Sequence, residues 1–409
     1  MGRGYPAEPR PRLEHDPTLQ DLTMLTKTQS ARARSDEERG PLIIRRVDVI
    51  PVALPLKAPM AMSGVTITTA ENLLVRIEAE GGAVGWGEAA SAPTMTGDTL
   101  GGLVAAVRDH LAPLLIGQDA LARPKLKAIM ARALVGNTGA HSAVEMALLD
   151  LAGRVLDRRL IDLIGSARRS AARPMWLLGS PTPDQNIAEA RTRAAEGFHL
   201  FKLKIGVRPI EKEIAAALAI RQALGPKMPL CADANGGLTL VSAKRYVERT
   251  REAKLMFIEQ PLPPHDLAGL KALARSRLPI GVDEGIHSHA DIATHARAGA
   301  RGVSLKLIKL GGLTTALEAA RMAQRLRLKV NVAAKIAESS LASAAAIHLA
   351  CAVPSVDWGV SLTHFYLAED LVRQPLALRD GEVKLPNGGG LGMEVDEAAV
   401  ERFRVRSAP

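Results

Sequence analysis

The sequence predicts an α/β protein, a parallel β/α barrel preceded by a smaller α+β unit. Two observations carry the barrel. From about residue 166, eight short apolar runs alternate with stretches of helical period at a spacing of roughly 25 residues. No glycine-rich nucleotide fingerprint follows the first run, which a doubly wound sheet would more typically carry. A third observation concerns the residues before the barrel. Two β-rich runs joined through Gly81 and Gly82 read as an antiparallel hairpin or meander.

In chain order, residues 1–40 are polar, rich in proline and arginine, and without period. They lack the apolar centre of a secretory signal and are expected to be a disordered or extended tail. Residues 43–165 form the α+β unit. Its strand-like runs "IIRRVDVIPVALPL" and "AENLLVRIEAEGGAVGWGEA" are followed by helices from about Leu100 to Leu115 and from Ser142 to Leu156. Barrel strands are expected over residues 166–367, near Met175–Leu178, Leu200–Ile205, Pro229–Asp233, Leu255–Glu259, Ile280–Asp283, Gly302–Lys306, Lys329–Ala333 and Asp357–Leu362. Residues 368–409 are expected to pack back on the first unit.

Composition narrows the function classes. A hydrophobic content of 47% with 23% charged residues is ordinary for a globular enzyme-sized chain. No run approaches the roughly 18 apolar residues of a membrane span, so no membrane partner is expected. The net charge of +10 invites a nucleic-acid reading, but the cations are scattered and aromatic residues make up only 3%, too few to stack bases. Surface charge or steering of an anionic substrate explains it better. Cys231 and Cys351 are the only cysteines, which fits a reduced, cytoplasmic setting.

The informative feature is how the strands end. "FKLK", "LCAD", "FIEQP", "GVDE" and "VSLK" close five consecutive strands. Along them, 29 residues separate Lys204 from Asp233, 26 separate Asp233 from Glu259, 24 reach Asp283 and 23 more reach Lys306. Each step is one β/α unit, so five ionisable groups share a height on the C-terminal rim, where barrel enzymes keep their sites. Asp233, Glu259 and Asp283 cannot converge without a cation, and an all-oxygen donor set suits Mg²⁺ better than zinc.

The lysines flank these carboxylates, and alternation points Lys202 and Lys204 to the same face. Lys204 is expected to act as a base, its pKa pushed down by burial, by Lys202 and by the metal. Lys202 also offers charge to a developing oxyanion. The metal is expected to bind a substrate carboxylate and to stabilise the enediolate left when the neighbouring proton departs. In "KLIKLGG" strand alternation selects Lys306, leaving Lys309 as a salt-bridging or loop residue. The bland reading, helix-capping acids and a solvated edge strand, accounts for single positions but not for the series of five.

With "KLK" at 202–204, "DAN" at 233–235, "EQP" at 259–261, "DE" at 283–284 and "KLIKLGG" at 306–312, the chain resembles the enolase superfamily, in its muconate-lactonizing-enzyme subgroup. The resemblance spans roughly residues 43–400. It implies an α+β capping domain over a modified (β/α)7β barrel, Mg²⁺ (with Mn²⁺ as a substitute) on Asp233, Glu259 and Asp283, and Lys204 with Lys306 as the acid/base pair. It further implies that Asn235 and Glu284 orient the ligands and lysines, and that Glu338 of "NVAAKIAESSLASAAAIHLA" lies near the site. Lys335 stands where many members carry a small or apolar residue; it either lines the pocket or is a local ion-pair partner, the second being preferred.

The capping loops "PMAMSGVTITT" and "SAPTMTGDT" are expected to select the substrate, with Met60, Met62 and Met95 as flexible fillers. Trp176 and His364, with Phe365 and Tyr366, are candidates for an aromatic wall, although Trp176 is the kind of residue more often found in a core. The eighth strand lacks the Asp-x-Asp pair with which dipeptide epimerases of the subgroup hold an ammonium. The expected activity is proton transfer beside the carboxylate of a small acid, first as a muconate-type cycloisomerase. The alternatives are a racemase or epimerase of an amino acid or N-modified amino acid, and a non-catalytic metabolite-binding barrel. A homo-oligomer is expected.

Overall fold

The computed structural model describes residues 40–62 and 65–406. The expected tail, apart from Gly40, lies outside the described residues, as does the side chain of Met62. Strands β1 (Ile44–Met62), β2 (Val65–Ala79) and β3 (Val84–Ala90) form an antiparallel sheet in that order. Ile50, Val52 and Leu54 are buried at alternate positions of β1, the period-2 pattern that fixes which face meets the core. The β2–β3 hairpin turns at Gly81 and Gly82, whose φ values of 86° and 83° suit glycine.

Helix Thr138–Val155 crosses the sheet so closely that a Cβ on Gly87 would stand 2.0 Å from the Ala143 carbonyl oxygen. The expected helix over residues 100–115 is not one continuous α-helix. It runs as Leu100–Ala105, a π-helical stretch Ala106–Leu111, and Ala112–Leu115. Pro113 has no N–H to donate to the preceding turn, and the wider hydrogen-bond spacing falls directly before it. A further helix, Arg123–Ala133, was not expected; Pro124 stands in its first turn.

After the two-residue strand β4 (Ala171–Ala172), the barrel strands are β5 (Pro174–Leu178), β6 (Phe201–Lys204), β7 (Leu230–Asp233), β8 (Ile258–Glu259), β9 (Ile280–Val282), β10 (Gly302–Leu305), β11 (Lys329–Ala333) and β12 (Val360–Ser361). They close in sequence order, β12 pairing with β5, and every barrel pairing is parallel. Seven helices make the main crossovers: Pro183–Ala195, Ile210–Leu224, Leu240–Arg249, Leu267–Leu273, His289–Arg297, Leu313–Arg325 and Ser340–Ala352. The last strand has no such partner; a single 3-10 turn, His364–Tyr366, follows it. The fold is thus a modified (β/α)7β barrel with an N-terminal cap. The eighth strand is shorter than expected because Gly359, at φ 80°, breaks the extended backbone immediately before it.

Trp358 stacks on Phe257 with ring centroids 3.9 Å apart, and a Cβ on Gly302 would meet its ring at 2.2 Å. Glycine at Gly281 and Gly302 makes room for this indole, which with Cys231 fills the lower barrel. Strand β13 (Val383–Lys384) pairs with β4, while the Ala368 and Val405 amides donate to the Pro55 and Pro51 carbonyls of β1.

A second tie joins cap and barrel. Glu88 of β3, fully buried, accepts from Asn72 Nδ2 at 2.7 Å, Ser339 N at 2.9 Å, Ser339 Oγ at 2.5 Å and Ala342 N at 3.0 Å. The last three donors sit at the start of helix Ser340–Ala352, whose residues are all buried. Among the described residues no helix is long and apolar enough to cross a membrane.

Candidate active site

The barrel's parity builds the site. Leu177 pairs with Lys202, Lys204 with Asp233, and Asp233 with Glu259, so these side chains face one interior. They line a cavity of about 100 Å³ together with Asp283, Glu284 and Lys306. Each of the three carboxylates holds an ammonium. Lys202 bonds Glu259, Lys204 lies 2.6 Å from Asp233 Oδ2, and Asp283 takes both Lys306 and, at 2.6 Å, Lys309. Lys309 sits on the short helix Leu307–Leu310, fully buried, and also donates to the Ser304 carbonyl at 3.1 Å. It is the salt-bridging residue the sequence suggested, behind the cavity wall rather than on it.

Polar neighbours fix the carboxylates. Ser304 Oγ donates to Glu259 Oε1 at 2.6 Å. Asn235, in the left-handed region at φ 44°, accepts from Lys204 at 2.9 Å and donates to Glu284 at 2.8 Å. Gln260 was not singled out from the sequence. Its Oε1 accepts the Asp283 and Gly285 amides at 3.0 and 3.2 Å, and so holds the end of β9 in place.

Burial and charge oppose each other here. Burial would raise the Asp283 carboxyl, but Lys306 and Lys309 hold it below the usual carboxylate range. Asp233 is lowered in the same way by Lys204 and Lys202. Glu284 moves the other way, up to about 7, through burial beside Asp283 and Asp233, and its Oε2 is buried without a partner. Burial alone would lower Lys306 and Lys202, yet Asp283 keeps the first, and Glu259 with Asp233 the second, above the ordinary lysine range. A depressed lysine pKa is therefore absent at Lys306 while its carboxylate partner is free to pair with it.

As placed, no three acidic, histidine or cysteine side chains among the described residues enclose a metal position, since each strand-end carboxylate is turned to an ammonium. The donor chemistry nonetheless suits a hard divalent cation. It comprises three buried carboxylates on adjacent strands and an unpartnered glutamate oxygen beside them.

Three sequence candidates do not line the cavity, although Glu338 lies beside it as expected, its amide bonded to Lys335 and Thr363 of the wall. Trp176 pairs with Phe201 and shares its outward parity. It packs on Phe198 and Tyr366, donates to Glu189 at 2.8 Å and carries Arg193 over its ring, so Leu177 is the residue that faces the cavity. His364 lies in the 3-10 turn, where strand alternation has ended. It is buried against Ser343 Oγ and the Leu376 carbonyl, while Thr363 lines the cavity instead. Glu338 is buried next to Lys335 without facing the cavity as a lining residue, and burial with Glu88 nearby pushes it up to about 8. Lys335, for which an ion pair was preferred over a place in the pocket, lines the cavity and donates to the Ile336 carbonyl at 2.7 Å. Of the capping loops, Thr94 and Met95 reach the cavity, with Met95 Sδ 3.7 Å from Lys306 Nζ, whereas Met60 packs against the core.

Fold and site together define a barrel enzyme working at the C-terminal ends of its strands. Residues 44–165 match the mandelate racemase / muconate lactonizing enzyme N-terminal domain, and residues 185–399 the enolase C-terminal domain-like family. A chloromuconate cycloisomerase of Cupriavidus necator is 31% identical over 366 residues, 88% of this chain and 98% of that protein. Muconate cycloisomerase 1 of Rhodococcus opacus is 32% identical over 368 residues, with the same coverage. A solved muconate lactonizing enzyme from Pseudomonas fluorescens, complexed with muconolactone, superposes with a TM-score of 0.87 at 28% identity, covering 90% of this chain and 100% of that one. The chain belongs to the mandelate racemase/muconate lactonizing enzyme family and is an isomerase of the enolase superfamily.

Proposed function

We propose that the chain is a cycloisomerase of the muconate type, closing an unsaturated diacid to a lactone by proton transfer beside a carboxylate. The observation that carries this reading is the placement of Lys204 and Lys306 on opposite sides of one cavity, with the carboxylates of β7, β8 and β9 along the arc between them. In ring closure one carboxylate oxygen adds across a double bond, and the carbon next to the other carboxylate takes a proton from a lysine ammonium. In the reverse direction the neutral amine removes that proton. Lys306, whose ammonium reaches the cavity beside Asp283, is placed for the donor role. Lys202 keeps positive charge beside the reacting carboxylate.

Asp233, Glu259 and Asp283 would hold Mg²⁺ or Mn²⁺, which supplies positive charge to the carboxylate whose neighbouring carbon exchanges the proton. Asn235, bonded to both Lys204 and Glu284, keeps the lysine aimed while Asp233 is engaged. The buried free thiols of Cys231 and Cys351 fit a cytoplasmic location.

Racemisation of an amino acid derivative is the second reading, because two lysines on opposite faces also suit proton exchange with inversion. It is less favoured, since β12 and the residues after it turn Ser361 and Thr363 to the cavity and no acid that could hold an ammonium. The test is incubation with Mg²⁺ in D₂O. Loss of the diene absorbance of cis,cis-muconate, with one deuterium on the lactone, supports cycloisomerisation. Inert muconate, with exchange and inversion of N-acyl amino acids instead, replaces it with the racemase reading.

A further inference from the structure

The three carboxylates and their lysines occupy β6 to β10. The remaining arc, β11, β12 and β5, presents Lys335, Ser361 and Thr363 among the apolar Ala333, Ile336 and Leu177. Two polar groups on this arc keep bonding capacity, one of them bonded to a single carbonyl and the other to nothing among the described residues. Lys335 is only 6% exposed and has no carboxylate partner, in contrast to Lys202, Lys204, Lys306 and Lys309. Ser361 is 5% exposed, and its Oγ makes no hydrogen bond. Thr363 is not available in the same way, because its hydroxyl already donates to the Lys335 carbonyl at 2.7 Å and accepts the Glu338 amide at 3.1 Å.

A buried ammonium without a counter-charge and a buried hydroxyl without a partner are unfavourable unless something satisfies them. Burial and the neighbouring Lys306 push Lys335 down to about 8, against the opposing pull of Glu338, so its charge is poorly compensated from within the protein. A substrate whose first carboxylate lies toward the carboxylate arc would carry its far end to this opposite wall.

We propose that Lys335 and Ser361 form the receptor for a second acidic group of the substrate, making the site selective for dicarboxylates. This rests on the reading of the cavity as the reaction site, and it adds the residues that choose the substrate. The same pair disfavours amino acids and betaines, because a distal ammonium would meet Lys335 and find no acid on this arc.

The test measures binding and turnover separately. With Mg²⁺ present, calorimetry compares adipate with hexanoate, which share one carboxylate and differ at the far end. The intact enzyme is expected to bind adipate at least tenfold more tightly. Lys335→Met should bring the two affinities together, Lys335→Arg should restore most of the preference, and Ser361→Ala should reduce it in part. Lys335→Met removes an unpaired buried charge, so an unchanged melting temperature checks that the variant is folded. Equal affinities in the intact enzyme, undetectable binding of both acids included, overturn the inference, as does a preference that survives in Lys335→Met. Turnover of cis,cis-muconate distinguishes the two readings. A diacid preference lost in Lys335→Met but without turnover leaves the receptor standing and removes the cycloisomerase; turnover with a preference insensitive to Lys335 does the reverse.

Discussion

Lys204 ends β6 and Lys306 directly follows β10, four strands apart in a closed ring of eight, so they face each other across the barrel mouth. One lysine suffices to protonate one face of a planar intermediate, and the other then contributes charge alone. Lys204→Met and Lys306→Met are each expected to lower kcat by roughly 10²–10⁴-fold. Only one of them should abolish exchange of the lactone's α-hydrogen for deuterium in D₂O, the proton transfer of the reverse direction. Mass spectrometry of lactone incubated with each variant reads the difference, and loss of exchange in both variants would indicate a two-base reaction.

Lys202 and Glu259 are 3% and 1% exposed and bonded to each other. Removing one member of a buried pair strands the other, at a typical cost of about 3–5 kcal/mol. Lys202→Met is expected to lose stability of that order in urea titrations without divalent cations. Added Mg²⁺ should recover part of it, since the freed carboxylate gains a cation. Glu259→Gln should abolish the Mg²⁺ effect on melting temperature.

At the barrel floor, a Cβ on Gly302 would overlap the rigid Trp358 ring, which Phe257 blocks from behind. Gly302→Ala is expected to destabilise by about 1–3 kcal/mol through overpacking. Denaturant midpoints would show it, and the double variant Gly302→Ala with Trp358→Leu should lose less than the sum of the single changes.

Two buried histidines set an acid limit. His348, between the Ile161 amide and the Leu391 carbonyl, and His364 are both lowered to about 4, chiefly by burial. An unfolded histidine protonates near 6.5, so below that pH the unfolded chain binds protons that the folded chain refuses. Their stabilisation is present above about pH 6.5 and is lost as pH falls toward 4, at a limit of roughly 3 kcal/mol each. The advantage in urea midpoint of the intact chain over His364→Asn should therefore shrink as pH falls from 7 to 4, because the variant lacks that proton uptake on unfolding.

Much of the site was legible because strand parity and strand ends are local. The series from Lys204 to Lys306 needs only the barrel repeat to be read, and Asn235 and Glu284 lie one or two residues beyond it. Trp176 stands between core and wall in the sequence because an apolar run buried on both faces carries no sign of its inward parity; its pairing with Phe201 puts it in the core, the reading preferred from the sequence. His364 failed for another reason: a 3-10 turn replaces the strand, and alternation stops at Thr363. Lys335 takes the less favoured of its two sequence readings: it lines the pocket, bonded to the Ile336 carbonyl and to no carboxylate among the described residues. Gln260 acts through backbone amides 23 and 25 residues on, a distance no local pattern encodes.

Glu88 has a consequence for recombination. Its carboxylate, carried by the cap, satisfies the Ser339 and Ala342 amides that open a barrel helix. A cap grafted from a relative without that acid would leave those amides unmet in a dry seam. Exchanging capping domains to change substrate choice therefore means transplanting Glu88 together with the Ser339 turn, and crossover points placed between them are predicted to yield insoluble chimeras.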